Sequence, residues 1–438
     1  MSSGHYLASA AGFAILEAGG NAVDAGCASG IALAVLHADE VNFAGVAPIM
    51  IRTAAGRVVT IDGLGVWPRA LPSDLFMREH AGRIPTGILR TVTPAAPDAW
   101  ITALRDFGTM TFATVAEAAI RLARDGFAVF ELLADGIAMR RAGYAKWAAN
   151  AAIFLPGGRP PRVGERFVQR DLAATLQHMA DCEQRAGGDR VAGLEAARAA
   201  FYEGDIAERI VAHQRENGGY LSRADLAGFR CRYEEPVSTR WRDWTILTCG
   251  PWCQGPLLAQ ALLTLEAAGL DGLEHNGAAY VHRVVEALKG VFADREHHYG
   301  DPAFVDVPLD RLLSEEHARE RARRIDPDRA APELPPPLFG AAQPLPAPSE
   351  SEAAPRVGEG GTSYVCAVDR WGNAFSATPS DGASTAPVVP GTGIVPSLRG
   401  LQSRPDPAHP SGVAPGKRPR LTPNPAIAVR DDGSVLPF

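Results

Sequence analysis

The chain has 438 residues, 46% of them hydrophobic and 21% charged, with a formal net charge of −7. That composition supports an ample globular core. It carries no footprint for nucleic acid or an anionic membrane surface, because the basic cluster Lys417-Arg418-Pro419-Arg420 is too short to supply one.

In chain order, 7–16 carries an apolar helical pattern that Gly19-Gly20 stops. Asn21 then caps a second helix over 22–36, with Asp24 as its first-turn acid. This helix is apolar nearly all round and rich in Ala and Gly, the pattern of a buried, closely packed element. Residues 47–52 and 58–62 read as two strands around the turn Ala54-Ala55-Gly56. The stretch 112–212 is mostly helical, with periodic segments at 115–123, 171–179 and 194–201. Ser222-Arg223-Ala224-Asp225 is another capped start, 244–248 a short strand, and 255–268 and 275–299 are helices. His297 and His298 point about 100° apart, which suits the helix C-terminal dipole rather than a shared metal.

A Pro/Ala-rich run without period covers about 327–361. A β pattern then starts abruptly: 362–368, a turn at Asp369-Arg370-Trp371-Gly372, and a return strand over 373–378. Residues 388–395, interrupted by Pro390-Gly391, and 426–429 are further strand candidates. The apolar end Val435-Leu436-Pro437-Phe438 reads as an unpaired strand start, from which the chain is expected to be cut short there. Helices and a hairpin, then many helices, then strands, without βα alternation, predict an α+β fold, a four-layer αββα sandwich.

The six cysteines are scattered; only Cys249 and Cys253 lie close, and no metal spacing follows. Cys27 and Cys366 read as small core residues. No signal-peptide pattern opens the chain and no apolar run has membrane-spanning length, so a reduced, cytoplasmic compartment is expected, with no membrane partner.

No Gly-x-Ser-x-Gly elbow, P-loop or dinucleotide fingerprint is present, which leaves Gly361-Thr362 as the place for nucleophilic chemistry. This junction is either an ordinary linker entering a hairpin or the cut site of a self-cleaving hydrolase. If the bond is cut, Thr362 gains a free α-amine with a pKa near ~8, able to act as base for its own hydroxyl. Gly360-Gly361 permits the strained backbone angles such a cut needs. With Arg370-Trp371 as a two-residue loop, Asp369 faces Gly372, Thr362 faces Pro379, and Ser380 is the diagonal neighbour of Thr362. Ser380 reads equally as a turn residue of Pro379-Ser380-Asp381-Gly382.

The chain resembles the γ-glutamyltranspeptidase family over nearly its whole length. The resemblance is carried by Leu7-Ala8-Ser9-Ala10-Ala11-Gly12 through Asn21-Ala22-Val23-Asp24-Ala25, Ala119-Ile120-Arg121-Leu122-Ala123 with Gly126-Phe127, and Phe201-Tyr202-Glu203-Gly204. It continues in Phe292-Ala293-Asp294-Arg295 with Gly300-Asp301-Pro302, Pro390-Gly391-Thr392-Gly393-Ile394, Lys417-Arg418-Pro419 and Pro425. It implies an N-terminal-nucleophile fold and a precursor that cleaves itself into a large subunit, 1–361, and a small one, 362–438. A dimer of these pairs is left open. It also implies that Thr362 is the nucleophile and that Ser380 stands where a Thr or Ser bonds the nucleophile's amine.

Four departures stand out. Leu64 occupies the position of the Arg that holds a γ-glutamyl α-carboxylate. The acid for the α-amine falls at about Gln402. The substrate-binding Ser pair falls at Leu421 and Thr422, and the family's Gly-Gly oxyanion loop would come after Phe438. Losing both charge clamps points away from a γ-glutamyl substrate. The expected function is an amidohydrolase or acyltransferase that acts on a small amide through an acyl-threonine, with no metal and no cofactor. Its rivals are a true γ-glutamyltransferase or glutathione hydrolase, and an inactive or truncated member acting as a binding subunit. Leu64, Trp67, Asp381, Gly382, Arg399, Arg420 and Thr422 are the pocket candidates. Arg399 and Arg420 are either a replacement anion site or solvated surface arginines, and Trp67 either lines the pocket or closes its hairpin.

Overall fold

The computed structural model describes residues 1–340 and 361–438. Most of the Pro/Ala-rich run that leads to Gly361 lies outside the described residues. Two antiparallel sheets form the centre. The six-stranded sheet has the order Ser2–Ser3, Val365–Val368, Ala374–Ala377, Ile49–Arg52, Val58–Ile61, Tyr233–Glu234. The four-stranded sheet has the order Val435–Pro437, Ala426–Arg430, Trp244–Thr248, Val237–Trp241. Their inner faces meet in a buried cluster of Met50 and Ala374 from one sheet and Ile427 from the other.

The outer face of the larger sheet is covered by the Ala22–Leu36 helix, every residue of which is buried. Its small residues are a packing requirement. A Cβ at Gly26 would come 2.1 Å from the Phe375 ring, and one at Gly30 would come 2.5 Å from Trp100. The helix begins in a capping box: Asn21 Oδ1 accepts from the Val23 and Asp24 amides, and Asp24 accepts from the Asn21 amide at 2.9 Å. The buried Asp24 also accepts from the Thr109 and Met110 amides, which ties the next helical layer to the same point. Helices Tyr6–Glu17, Ala96–Phe107, Phe112–Asp125, Arg170–Ala186 and Arg190–Tyr202 complete that layer. Gly255–Ala268 covers the smaller sheet, backed by Ala278–His298 and Glu315–Arg323. The αββα order is the one expected.

Three sequence expectations are corrected. Residues 388–395 form no strand but a tight loop closed by the single pair Val389 with Ile394. Pro390 has no amide to donate, and Gly391 and Gly393 stand at φ 73° and 68°. The apolar C-terminal segment is a paired edge strand, Val435–Pro437 against Ala426–Arg430. The central hairpin is shifted by one residue. Its loop is Arg370-Trp371-Gly372, with Gly372 at φ 90°, and Asp369 is bonded to Asn373 rather than facing Gly372. The Asp369 carboxylate accepts from the Trp371 and Asn373 amides, an Asx turn that stabilises this longer loop. Cys27 is fully buried, whereas Cys366 is only half-buried.

Candidate active site

The shifted register puts Thr362 directly opposite Ser380. Ser380 is held from both sides, since it also pairs with Val46 and donates its amide to the Val46 carbonyl at 3.0 Å. Ser363 donates its amide to the Pro379 carbonyl at 3.0 Å, so the pairing persists although Pro379 itself gives no donor. The Thr362 residue is exposed and Ser380 is fully buried. Their hydroxyl oxygens are 2.9 Å apart.

The Gly361 carbonyl oxygen is a focus of donors. It accepts from the Thr362 hydroxyl at 2.8 Å, from the Ser380 hydroxyl, and from Arg399 Nη2 at 3.4 Å. Arg399 Nη2 also donates to Ser380 Oγ. On its other side Arg399 Nε lies 2.5 Å from Asp381 Oδ1. Asp381 Oδ2 in turn accepts from Ser397 Oγ at 2.6 Å and from the Leu398 amide at 3.3 Å. Ser380, Asp381 and Arg399 are all buried.

Residues 39–46 form the floor. A Cβ at Gly361 would meet Glu40 Cβ at 2.3 Å, one at Gly382 the Asp39 carbonyl at 2.4 Å, and one at Gly45 the Ser380 carbonyl at 2.3 Å. This floor is shared with a cavity of about 380 Å³ lined by His37, Asp39, Glu40, Phe130, Leu133 and Arg140. Asp39 is paired with Arg140 at 2.7 Å, yet burial pushes its carboxyl up to about 6 against the opposing arginine charge. Burial, then the neighbouring His5, pushes the His37 imidazole down to about 4.

The remaining sequence candidates separate into three groups. Leu64 and Leu421 are fully buried in one apolar cluster with Val46, Cys249, Trp252 and Cys253. Trp67 is fully buried beneath the turn that carries Arg399: its indole donates to Ser403 Oγ at 3.0 Å, and a Cβ at Gly400 would come 2.5 Å from its ring. Arg420 is neither a solvated surface residue nor an open anion site, because it donates to Glu296 at 2.6 Å, the same carboxylate that Arg404 grips at 2.5 Å. Thr422 and Gln402 are bonded to each other on the surface, Gln402 Nε2 to Thr422 Oγ1 at 3.1 Å and the Thr422 amide to Gln402 Oε1 at 3.2 Å. Among the described residues no group of three or more His, Cys, Asp or Glu is placed to hold a metal ion.

Sequence reasoning missed Glu40 under Gly361 and the Asp381 carboxylate as the partner of Arg399. Neither leaves a local signal, because each contact joins distant parts of the chain. The small residue of Ala44-Gly45-Val46 just before the first hairpin is the one trace of the close approach.

The family model described as Gamma-glutamyltranspeptidase matches residues 8–438. Among curated proteins, the acylase ACY 1 proenzyme of Pseudomonas sp. (strain V22) is 34% identical over 98% of this chain and 73% of its own length. The glutathione hydrolase-like YwrD proenzyme of Bacillus subtilis (strain 168) is 33% identical over 98% of this chain and 75% of its own. Other matched relatives bear the names glutathione hydrolase and oxamate amidohydrolase proenzyme. The crystal structure of cephalosporin acylase from Bacillus halodurans superposes with a TM-score of 0.84 at 28% identity, covering 99% of this chain and 75% of that one.

Proposed function

Because this chain belongs to the gamma-glutamyltranspeptidase family, we propose that it is an N-terminal-threonine amidohydrolase. It cleaves itself before Thr362 into 1–361 and 362–438 portions, and it then hydrolyses a small amide through an acyl-threonine ester. The observation that carries the reading is the contact of the Thr362 hydroxyl with Ser380 Oγ at 2.9 Å, beside the Gly361 carbonyl at 2.8 Å. In the precursor this hydroxyl attacks the carbonyl carbon of its own junction. In the matured enzyme the freed α-amine of Thr362 acts as its base. The hydroxyl attacks the substrate carbonyl, the amine leaves, and water releases the acyl group. This chemistry requires no cofactor.

The two portions are expected to stay together. Val365–Val368, after the cut, pairs with Ser2–Ser3 on one side and Ala374–Ala377 on the other, so strands from both portions share one sheet.

The substrate reading rests on the apolar pair Leu64 and Leu421. Where the family resemblance calls for an Arg and a Ser, these two side chains are apolar and buried in one cluster, and neither can itself bond a charged amino-acid head. Gln402 and Thr422 complete a neutral surface pair. A small amide without the γ-glutamyl head follows, in line with the acylase and amidohydrolase names among the relatives. Mass spectrometry of active full-length protein tests the first half of the proposal: a fragment beginning at Thr362 is expected, and its absence defeats self-cleavage. Turnover of a γ-glutamyl anilide tests the second half. It is expected to be negligible beside turnover of simple acyl amides, and robust turnover would restore the glutathione hydrolase reading.

A further inference from the structure

We propose that Arg399 is a catalytic residue of the self-cleavage step: its guanidinium stabilises the negative charge that develops on the Gly361 carbonyl oxygen when Thr362 attacks. The inference rests on the self-cleavage reading above and gives Arg399 a different task from the substrate-anion site its charge suggests in the sequence.

The step is a bond exchange. Thr362 Oγ1 forms a bond to the Gly361 carbonyl carbon, and the Gly361–Thr362 C–N bond breaks. The hydroxyl proton ends on the departing nitrogen. One water then hydrolyses the ester, leaving a Gly361 carboxylate and a free Thr362 α-amine. Between attack and C–N cleavage the former carbonyl oxygen carries a full negative charge beside the buried Ser380 and Arg399, and such an oxyanion needs donors already aimed at it.

Two are in position besides the nucleophile. Ser380 Oγ donates to the Gly361 oxygen, and Arg399 Nη2 donates to it at 3.4 Å while also donating to Ser380 Oγ. Ser380 has one hydroxyl proton, given to the Gly361 oxygen. With Arg399 donating to Ser380 Oγ, the Ser380 hydroxyl is polarised toward that oxygen, and attack requires the Thr362 hydroxyl to turn its proton from the Gly361 oxygen to Ser380 Oγ, 2.9 Å away. The lone pairs of Thr362 Oγ1 then remain for the carbonyl carbon.

Arg399 is fixed for this task rather than for capturing a ligand. Asp381 Oδ1 lies 2.5 Å from its Nε, and Asp381 is itself bonded to Ser397 Oγ and the Leu398 amide. Asp381 stands at φ 92°, a left-handed angle rare for residues other than glycine, and its Cβ would lie 2.8 Å from a Cβ at Gly45. In the resting precursor Arg399 and Asp381 balance one another; the oxyanion brings the additional negative charge next to a guanidinium that cannot lose its proton.

The test follows conversion of freshly purified full-length precursor by gel and by intact mass. Arg399→Gln is expected to slow appearance of the fragment beginning at Thr362 by about 10²–10³-fold, the usual cost of removing one oxyanion donor. Arg399→Lys keeps a charge but not the fork that spans two acceptors, and it should fall between wild type and Arg399→Gln. Cleavage of folded Arg399→Gln at the wild-type rate overturns the proposal, and so do equal rates for the Gln and Lys variants. Should Arg399→Gln fail to fold, Arg399→Lys decides: a slowing of at least about tenfold supports the fork contact, and an unchanged rate overturns it. Thr362→Ala separates the two readings. If it too cleaves normally, the nucleophile assignment itself is wrong. If it blocks cleavage while Arg399→Gln does not, only the role of Arg399 falls.

Discussion

Arg399 and Arg420 carry the same charge on neighbouring loops, yet they meet opposite surroundings. Among the described residues Arg399 has one carboxylate partner, Asp381, and turns its other end to the Gly361 carbonyl and Ser380. Arg420 shares the Glu296 carboxylate with Arg404, with His409 at 3.4 Å, and Arg295 is buried close by. Burial alone would raise the Glu296 carboxyl; His409 and the Arg420 and Arg404 charges outweigh it and hold the group well below the ordinary carboxylate range. Burial and Arg420 also push the Arg295 guanidinium down to about 9, a sign of how crowded the positive charge is. An arginine consumed by a structural network and one left facing a reactive bond cannot be told apart by residue type. What distinguishes them is the number of carboxylates and arginines sharing the site.

The largest effect expected at the reactive end is that of Thr362→Ala, which should abolish both self-cleavage and amide turnover. It should leave thermal unfolding of the precursor near wild type, because the threonine side chain lies on an exposed residue. Gel analysis and a turnover assay check it; residual turnover by an uncleaved Thr362→Ala protein would show that another residue supplies the nucleophile.

At the structural end, Glu296→Ala removes the carboxylate that both Arg404 and Arg420 grip. Leaving buried charges without their partner costs about 3–5 kcal/mol, measured by denaturant unfolding at pH 7. The pH sign follows from the depressed carboxyl. Native Glu296 stays ionised where the unfolded residue, with a pKa near ~4.3, takes up a proton. Its stabilisation is therefore complete above that value and is lost as pH falls toward the folded one. The destabilisation caused by Glu296→Ala should shrink in acid. Self-cleavage of the fraction that remains folded should match wild type, because Glu296 touches no atom of the junction; a selective loss of cleavage would merge the two regions that the arginines separate.

A smaller effect belongs to the cavity beside the junction floor, where two buried groups oppose one another. His37 at about 4 binds fewer protons folded than unfolded between about 4 and 6.5, so its contribution declines as pH falls through that window. Asp39 at about 6 binds more protons folded than unfolded above about 3.9, so its contribution declines as pH rises toward 6. Replacing the histidine, His37→Gln, removes the first slope and leaves the second. The variant should gain on wild type by up to about 3 kcal/mol between pH 7 and pH 4, the free energy of a shift of this size. Parallel stability profiles for the two proteins would show that His37 is protonated in the fold.

What was legible in the sequence was local. The Asn21 cap and the Ala22–Leu36 helix declare themselves within a few residues, as do Trp244–Thr248 and Gly255–Ala268, and all stand where their signals put them. The encounter of Thr362 with Ser380 was legible as an approximate hairpin pairing but was placed one residue off. A two-residue loop is the default for a tight hairpin, whereas the Asp369 side chain supports three residues here, with Asp369 and Gly372 as the clue in the sequence. The rest of the site was not legible. Asp381 against Arg399, Glu40 under Gly361, and the burial of Leu64 with Leu421 each join segments that no short-range periodicity connects.

The smallest effect concerns the surface pair Gln402 and Thr422, on the loops that also bear Arg399 and Arg420. Thr422→Val removes a hydroxyl that accepts from Gln402 at 3.1 Å on an exposed face. The loss in stability should not exceed about 1 kcal/mol, because water replaces the partner. Self-cleavage should be unchanged, since neither residue bonds to Gly361, Thr362, Ser380 or Arg399. If this neutral pair stands at the mouth of the substrate site, the variant should raise KM for an amide substrate severalfold while kcat holds, the signature of binding shared equally by ground and transition states. Unchanged KM would move the substrate away from these loops and toward the cavity bordered by Asp39 and Glu40, the other opening that reaches the floor of the junction.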